Sequence, residues 1–160
     1  MDSATILRTT TLLGLSSSFL IAGIGFSASH LTLPALYGLP TSASTAAFDI
    51  LYHRGATALI PFNSLATVLQ CTCAYLDPEN RTKFIIAAGL LLAPLPWTRY
   101  VMMGTIQQLC KLSGDATTRE KVGKAQIVSL LRTWTWMNFV RSSMAAAGGL
   151  IGVAVVAGKM

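Results

Sequence analysis

Two arginines lie inside stretches that otherwise carry no charge: Phe84 to Cys110 holds only Arg99, and Thr133 to Gly158 holds only Arg141. A guanidinium at the centre of a bilayer costs about 2.5–3.5 kcal/mol on insertion scales, so each needs a compensating partner or a use. On a helix, Trp134, Asn138 and Arg141 fall at i, i+4 and i+7 and share one stripe, which must face inward. Thr98, Met102 and Thr105 repeat that spacing in the preceding apolar stretch, with Arg99 one position round. Tyr52, Asn63 and Gln70 share a face of an earlier one, with His53 and Arg54 at its mouth. Three helices therefore bring polar groups toward a common interior.

The acids do not follow them. Asp2, Asp49, Asp77, Glu79, Asp115 and Glu120 are the full set, and each reads as part of a terminus or a connection. Only Asp49 is placed to reach the interior. Arg99 and Arg141 thus lack a carboxylate at their own depth, and their positive potential suits an anion, or a ligand that becomes one. Plainer uses stand beside this one. Arginines can bond carbonyls freed by Pro94 and Pro96, snorkel, or hold a lipid phosphate. Trp97 and Trp134 can be interface anchors or packing, Asn63 can bond two helices together, and His53 can meet headgroups.

The elements that must position these groups follow from composition. With 52% hydrophobic and 11% charged residues, the chain departs from an ordinary soluble domain. Four long stretches are nearly free of charge, and a spanning helix needs about 20 apolar residues. The chain reads as one all-α domain, a four-helix transmembrane bundle, with spans about 7–29, 54–76, 84–109 and 128–157. The first stretch imitates a signal peptide with a cleavage site near Ser29, but the apolar run continues through "HLTLPALYGLP", so an uncleaved helix is expected. Its Gly14, Gly23 and Gly25 suit close helix approach. "LPTSASTAAFD" is expected to be the first connection, and "KLSGDATTREKVGK" a solvated loop. Pro61 should bend the second helix, and Pro94 and Pro96 should break the third.

The net charge of +6 leaves no nucleic-acid footprint, because the basic residues sit mostly at span ends. Arg54, Lys111, Arg119, Lys121, Lys124 and Arg132 fall on one side and Arg8, Arg81, Lys83 and Lys159 on the other, a margin that fixes no orientation. Cys71, Cys73 and Cys110 read as small apolar fillers, since a C-x-C inside lipid lacks the second ligand pair of a structural zinc site. Asn80 heads an N-x-T acceptor in a loop so short that it should be bare.

"LYHRGATALIP" (Leu51 to Pro61), "PWTRYVMMGTIQQL" (Pro96 to Leu109) and "LLRTWTWMNFVRSSM" (Leu130 to Met144), in that order and with four spans, resemble the anthrone oxygenase-like family of small fungal membrane proteins. "LPAL" at Leu33 to Leu36 belongs to the same likeness, whereas "GTIQQL" stands where a more asparagine-rich segment is expected. The resemblance implies oxidation of a polyketide anthrone to an anthraquinone by molecular oxygen, with no flavin, haem or metal. The residues agree in offering no dinucleotide fingerprint, no paired histidine ligands and no C-x-x-C-H. On this reading His53, whose unperturbed pKa is about 6.5, is the base, with Asp49 second. Arg141 and Arg99 stabilise the anion, Asn138 and Asn63 bond its oxygens, and Trp134 and Trp97 stack on its rings, with Tyr52 and Thr98 completing the site. Partners are then the aromatic substrate, oxygen and lipid, in an endoplasmic reticulum or vesicle membrane. The bundle closes its pocket alone or as a symmetric homo-oligomer. A small carrier of an aromatic metabolite is the competing reading, although no intramembrane carboxylate is present to couple it to protons.

Overall fold

The computed structural model describes residues 2–158, and Lys159 lies outside them. The described chain is all-α, without a strand. Four helices are long and apolar enough to cross a membrane, the architecture of a multi-pass membrane protein. Helix α1 covers residues 3–36. Asp2 caps it by accepting from the Thr5 amide at 2.8 Å, and a π-helical turn at Ala28–Thr32 interrupts its ladder. Helix α2 is Thr41–Leu76, α3 is Arg81–Gly114 and α4 is Ala116–Ala157. The connections are 37–40, 77–80 and Asp115 alone, so successive helices run antiparallel. The end bearing 37–40 and Asp115 is called the near end below.

Two segments expected as loops are helical. Pro40 is extended (φ −53°, ψ 144°) and α2 begins at the next residue, because Thr45 and Phe48 are fully buried there and that burial outweighs the turn chemistry of the segment. At 111–124 the chain is helical on both sides of a hinge at Asp115 and stays largely exposed, with Leu112 alone buried. Asp115 caps α4 by accepting from the Thr118 amide at 3.0 Å, and Arg119 reaches back to the carbonyls of Leu112 and Ser113, closing the end of α3. Gly123 (φ 77°) turns the chain inside α4, a conformation open to glycine at little cost.

The prolines act by distortion instead of breakage. Helix α2 continues through Pro61. In α3, Pro94 and Pro96 precede a π-helical turn at Thr98–Met102. Pro34 similarly follows the π-turn of α1. Each proline lacks the N–H that the carbonyl four residues back requires, and a wider turn is one way for a helix to absorb that mismatch.

The helices form a ring in which α1 and α3 each pack on both α2 and α4. Bulky side chains fill the near end: Leu33, Phe48, Met102, Ile106, Leu109 and Leu131 are buried in one cluster. Deeper in the apolar section the core narrows to Ala22, Ala66 and Ala145 around Leu91, the alanines letting backbones approach where water supplies no hydrophobic drive. Of the three glycines of α1, Gly25 is pressed against Ser142 and Gly14 against Gln70 and Leu69, while Gly23 meets nothing within 4 Å and has no packing role.

Candidate functional site

Between the bulky near end and the small-residue core, the ring opens into a cavity of about 310 Å³ lined by all four helices. That volume lies at the lower end of the range of about 300–1,000 Å³ common for small-molecule sites. Its walls are mostly apolar, from Ile21 and Ile24 of α1, Leu59 and Ile60 of α2, and Leu95 and Met103 of α3. Both π-turns border it, through Ala28 and through Thr98 and Arg99. Helix α2 packs on α3 along Arg81–Leu92 and again along Met103–Gly114, but stands off the segment between. Ile60 and Leu95, one from each of these helices, line the cavity there and are half exposed. The wall thus has a side window facing outward between α2 and α3.

The stripe on α4 faces inward. Trp134 is buried, Asn138 has no exposed surface, and both line the cavity with Arg141. Asn138 Nδ2 donates to the Gly25 carbonyl at 2.9 Å and to Ser29 Oγ at 2.8 Å. Its Oδ1 accepts from Arg141 Nη2 at 2.6 Å. Asn138 is therefore fully engaged by α1 and Arg141 and is not free to bond a ligand. It holds the arginine instead. The remaining donors of Arg141 have no protein partner among the described residues, and Arg99, exposed at the window, makes no hydrogen bond or ion pair among them. The cavity carries two guanidinium groups and no carboxylate.

Tyr52, Asn63 and Thr98 also reach the wall. Asn63 Nδ2 donates to the Leu91 carbonyl at 2.8 Å, tying α2 to α3, so its amide nitrogen serves packing. Trp134 meets Phe48 edge-on, ring centroids 5.3 Å apart, and its Nε1 is buried without a hydrogen-bond acceptor.

Three residues expected in the site stand off the wall. Trp97 packs against the near-end core, with Nε1 donating to the Met137 carbonyl at 3.1 Å. It is a strut between α3 and α4 and not a stacking surface. His53 lies one residue beyond Tyr52 and so about 100° round the helix. Its side chain is 65% exposed, Nδ1 is 2.9 Å from the Asp49 carbonyl and 3.4 Å from Asp49 Oδ1. Asp49, a turn earlier, shares that outward face. Neither lines the cavity. The sequence reading missed Ser142 and Gly25, which are on the wall. Ser142, at i+4 from Asn138, belonged to the inward stripe by the same periodicity. Gly25 carried no sign beyond its lack of a side chain.

No match emerges among curated proteins or solved structures. Residues 48–151, well over half of the chain, match the family described as Anthrone oxygenase. The match begins at the buried Phe48, runs through α2 and α3, and takes in Tyr52, Asn63, Thr98, Arg99, Trp134, Asn138, Arg141 and Ser142, every polar side chain of the cavity wall. With the cationic cavity lying inside that span apart from its α1 wall, the chain belongs to the anthrone oxygenase family.

Proposed function

We propose that the protein oxidises a polyketide anthrone to the corresponding anthraquinone with molecular oxygen and without a cofactor, in a fungal secondary-metabolite pathway. The observation that carries this reading is the pair of arginines, free of carboxylates, on a mostly apolar wall. A neutral anthrone is apolar enough to arrive from lipid, and the window between α2 and α3 suits that route. Oxygen partitions into hydrocarbon and takes the same path.

Once inside, the substrate becomes the anion that the cavity lacks. Loss of a proton from the central methylene gives an electron-rich enolate, which Arg141 and Arg99 stabilise far more strongly in a dry site than in water. Tyr52, the remaining ionisable side chain on the wall, takes that proton onto its phenolate oxygen, in the place first expected of His53. The enolate passes one electron to oxygen, and the radical pair recombines at the same carbon as a peroxide. Loss of water then leaves the ketone. The balance closes: the methylene gives four electrons and two hydrogens, one oxygen atom becomes the quinone carbonyl, and the other leaves as water. Trp134 offers the substrate an apolar ring on the wall, its Nε1 being buried out of reach. We assign the protein to an endoplasmic reticulum or vesicle membrane, where such a substrate dissolves.

The test uses the purified full chain in lipid nanodiscs, given an anthrone under air and under argon. The expected result is oxygen-dependent quinone formation above the rate in empty nanodiscs, lost in Arg141→Ala. A rate equal to that of empty nanodiscs, with the substrate nonetheless bound, overturns the enzyme reading and favours a carrier.

A further inference from the structure

Asp49, His53 and Cys110 are not on the cavity wall, yet they form a compact set of their own at the near end. Asp49 and His53 are one turn apart on α2, so they share a face, and Cys110 comes from α3 opposite. One ligand atom from each lies within 4.8 Å of the other two. His53 Nδ1 already stands 3.4 Å from Asp49 Oδ1, and Cys110 is a free, half-buried thiol.

We propose that these three side chains bind a divalent transition metal, zinc being the ion that best suits them. On a tetrahedral zinc with bonds of about 2.0–2.3 Å, neighbouring ligand atoms stand about 3.3–3.8 Å apart. The set therefore closes on an ion by a movement of about an ångström, within the reach of side-chain rotation. The ligand types agree. Thiolate and imidazole disfavour magnesium and calcium, and one sulfur, one nitrogen and one oxygen make a borderline set that zinc accepts. The charges agree as well. A carboxylate and a thiolate neutralise a dication, which matters beside a membrane, where uncompensated charge is costly. His53 Nδ1, the nitrogen beside Asp49 Oδ1, turns its lone pair to the metal in the tautomer that carries the proton on Nε2, giving up its 2.9 Å contact with the Asp49 carbonyl oxygen. With His53 largely exposed, the fourth position is open to water.

An ion here clips α2 to α3 one residue from Tyr52, at the near-end edge of the cavity. It is a structural role, separate from the oxidation proposed above, and it assigns His53 to metal instead of proton transfer.

The experiment takes the purified full chain in detergent, strips it with a chelator and titrates it with zinc and then cobalt. The expected result is one ion per chain, a cobalt–thiolate charge-transfer band in the near ultraviolet, and a melting temperature raised by zinc. Cys110→Ser abolishes the band, and His53→Ala and Asp49→Asn each weaken affinity by at least about tenfold, with helical circular dichroism unchanged. Cys71→Ser and Cys73→Ser leave all three signals intact. Cobalt bound without the thiolate band, or zinc affinity indifferent to both Cys110→Ser and His53→Ala, overturns the proposal, and neither readout depends on whether anthrones are oxidised.

Discussion

Replacing Asn138 by aspartate exchanges an amide nitrogen for an oxygen inside a fully buried side chain, and the structure makes its consequences specific. The two bonds donated by Nδ2, to the Gly25 carbonyl and Ser29 Oγ, lose their donor, while the oxygen that accepts from Arg141 at 2.6 Å becomes part of an anion. Neutral hydrogen bonds between membrane helices average about 0.6 kcal/mol, and a bond to a charged group is worth about 1.5–3 kcal/mol. Asn138→Leu, which keeps the volume but removes all three, should therefore cost about 3 kcal/mol of stability. Asn138→Asp should cost less, because the Arg141 bond tightens into an ion pair, yet that pair cancels the charge on which an enolate depends. Loss of one preorganised electrostatic group in an oxyanion site lowers turnover by about 10²–10³, or about 2.7–4 kcal/mol. The assay is the initial rate of oxygen-dependent quinone formation in nanodiscs, with the empty-disc rate subtracted, beside reversible unfolding in mixed micelles. An aspartate variant that folds and keeps the wild-type rate refutes the reasoning, since a neutralised Arg141 would then serve as well as a free one.

Three further outcomes follow from single contacts. A Cβ on Gly25 runs into Ser142 Oγ and lies 3.0 Å from Ser142 Cβ, so Gly25→Ala should destabilise by about 1–3 kcal/mol and Ser142→Gly should restore part of that loss; additive losses in the double variant sink the contact. Trp134→Phe removes a buried donor that lacks an acceptor together with part of a buried ring, so it should cost only the lost packing, about 1–3 kcal/mol, and a larger loss means the N–H has a partner in the resting protein. Bonds from Thr118 hold the Asp115 carboxyl below its ordinary value near 3.8. Because the folded form is the stronger acid, its cap stabilises above that value and fades as pH falls through the lower folded one. Melting curves of wild type and Asp115→Asn should accordingly differ at neutral pH and converge in acid, and a gap independent of pH excludes the carboxylate as its source.

The fold was legible because charge exclusion is a strong signal in a membrane protein. Stretches with one charge or none had to be helical, and short polar gaps between them had to be turns. What the sequence hid was how far the helices run beyond the apolar stretches. The segments 41–49 and 111–124 look like connections by residue type, but Phe48 and Leu112 are core residues of the near end, and tertiary burial overrides local propensity. The inward stripe of α4 followed from spacing alone. His53 and Trp97 did not, because each sits a single step from a wall residue, and one step on a helix turns a side chain by about 100°. The two π-turns add a further rotation that regular periodicity cannot supply.

Those turns also explain how the cavity can keep its arginines free. Irregular backbone near prolines leaves carbonyls in want of donors, and a guanidinium in the same bundle is the obvious group to satisfy them. Neutral amides reach the main chain beside both turns: Asn138 bonds the Gly25 carbonyl, which also accepts from the Ala28 amide, and Asn63 bonds the Leu91 carbonyl, between those of Leu90 and Leu92 that Pro94 and Pro96 deprive of an amide donor. An asparagine at each point ties two helices together without adding a charge, so the positive potential of Arg141 is neither cancelled by a carboxylate nor drawn onto the main chain. Had arginine made those bonds, the wall would hold the same residue types and attract no anion. The sequence specifies the cations through Arg99 and Arg141, but it is the placement of Asn138 against α1, where it bonds the main chain and holds Arg141 by its amide oxygen, that keeps that charge available.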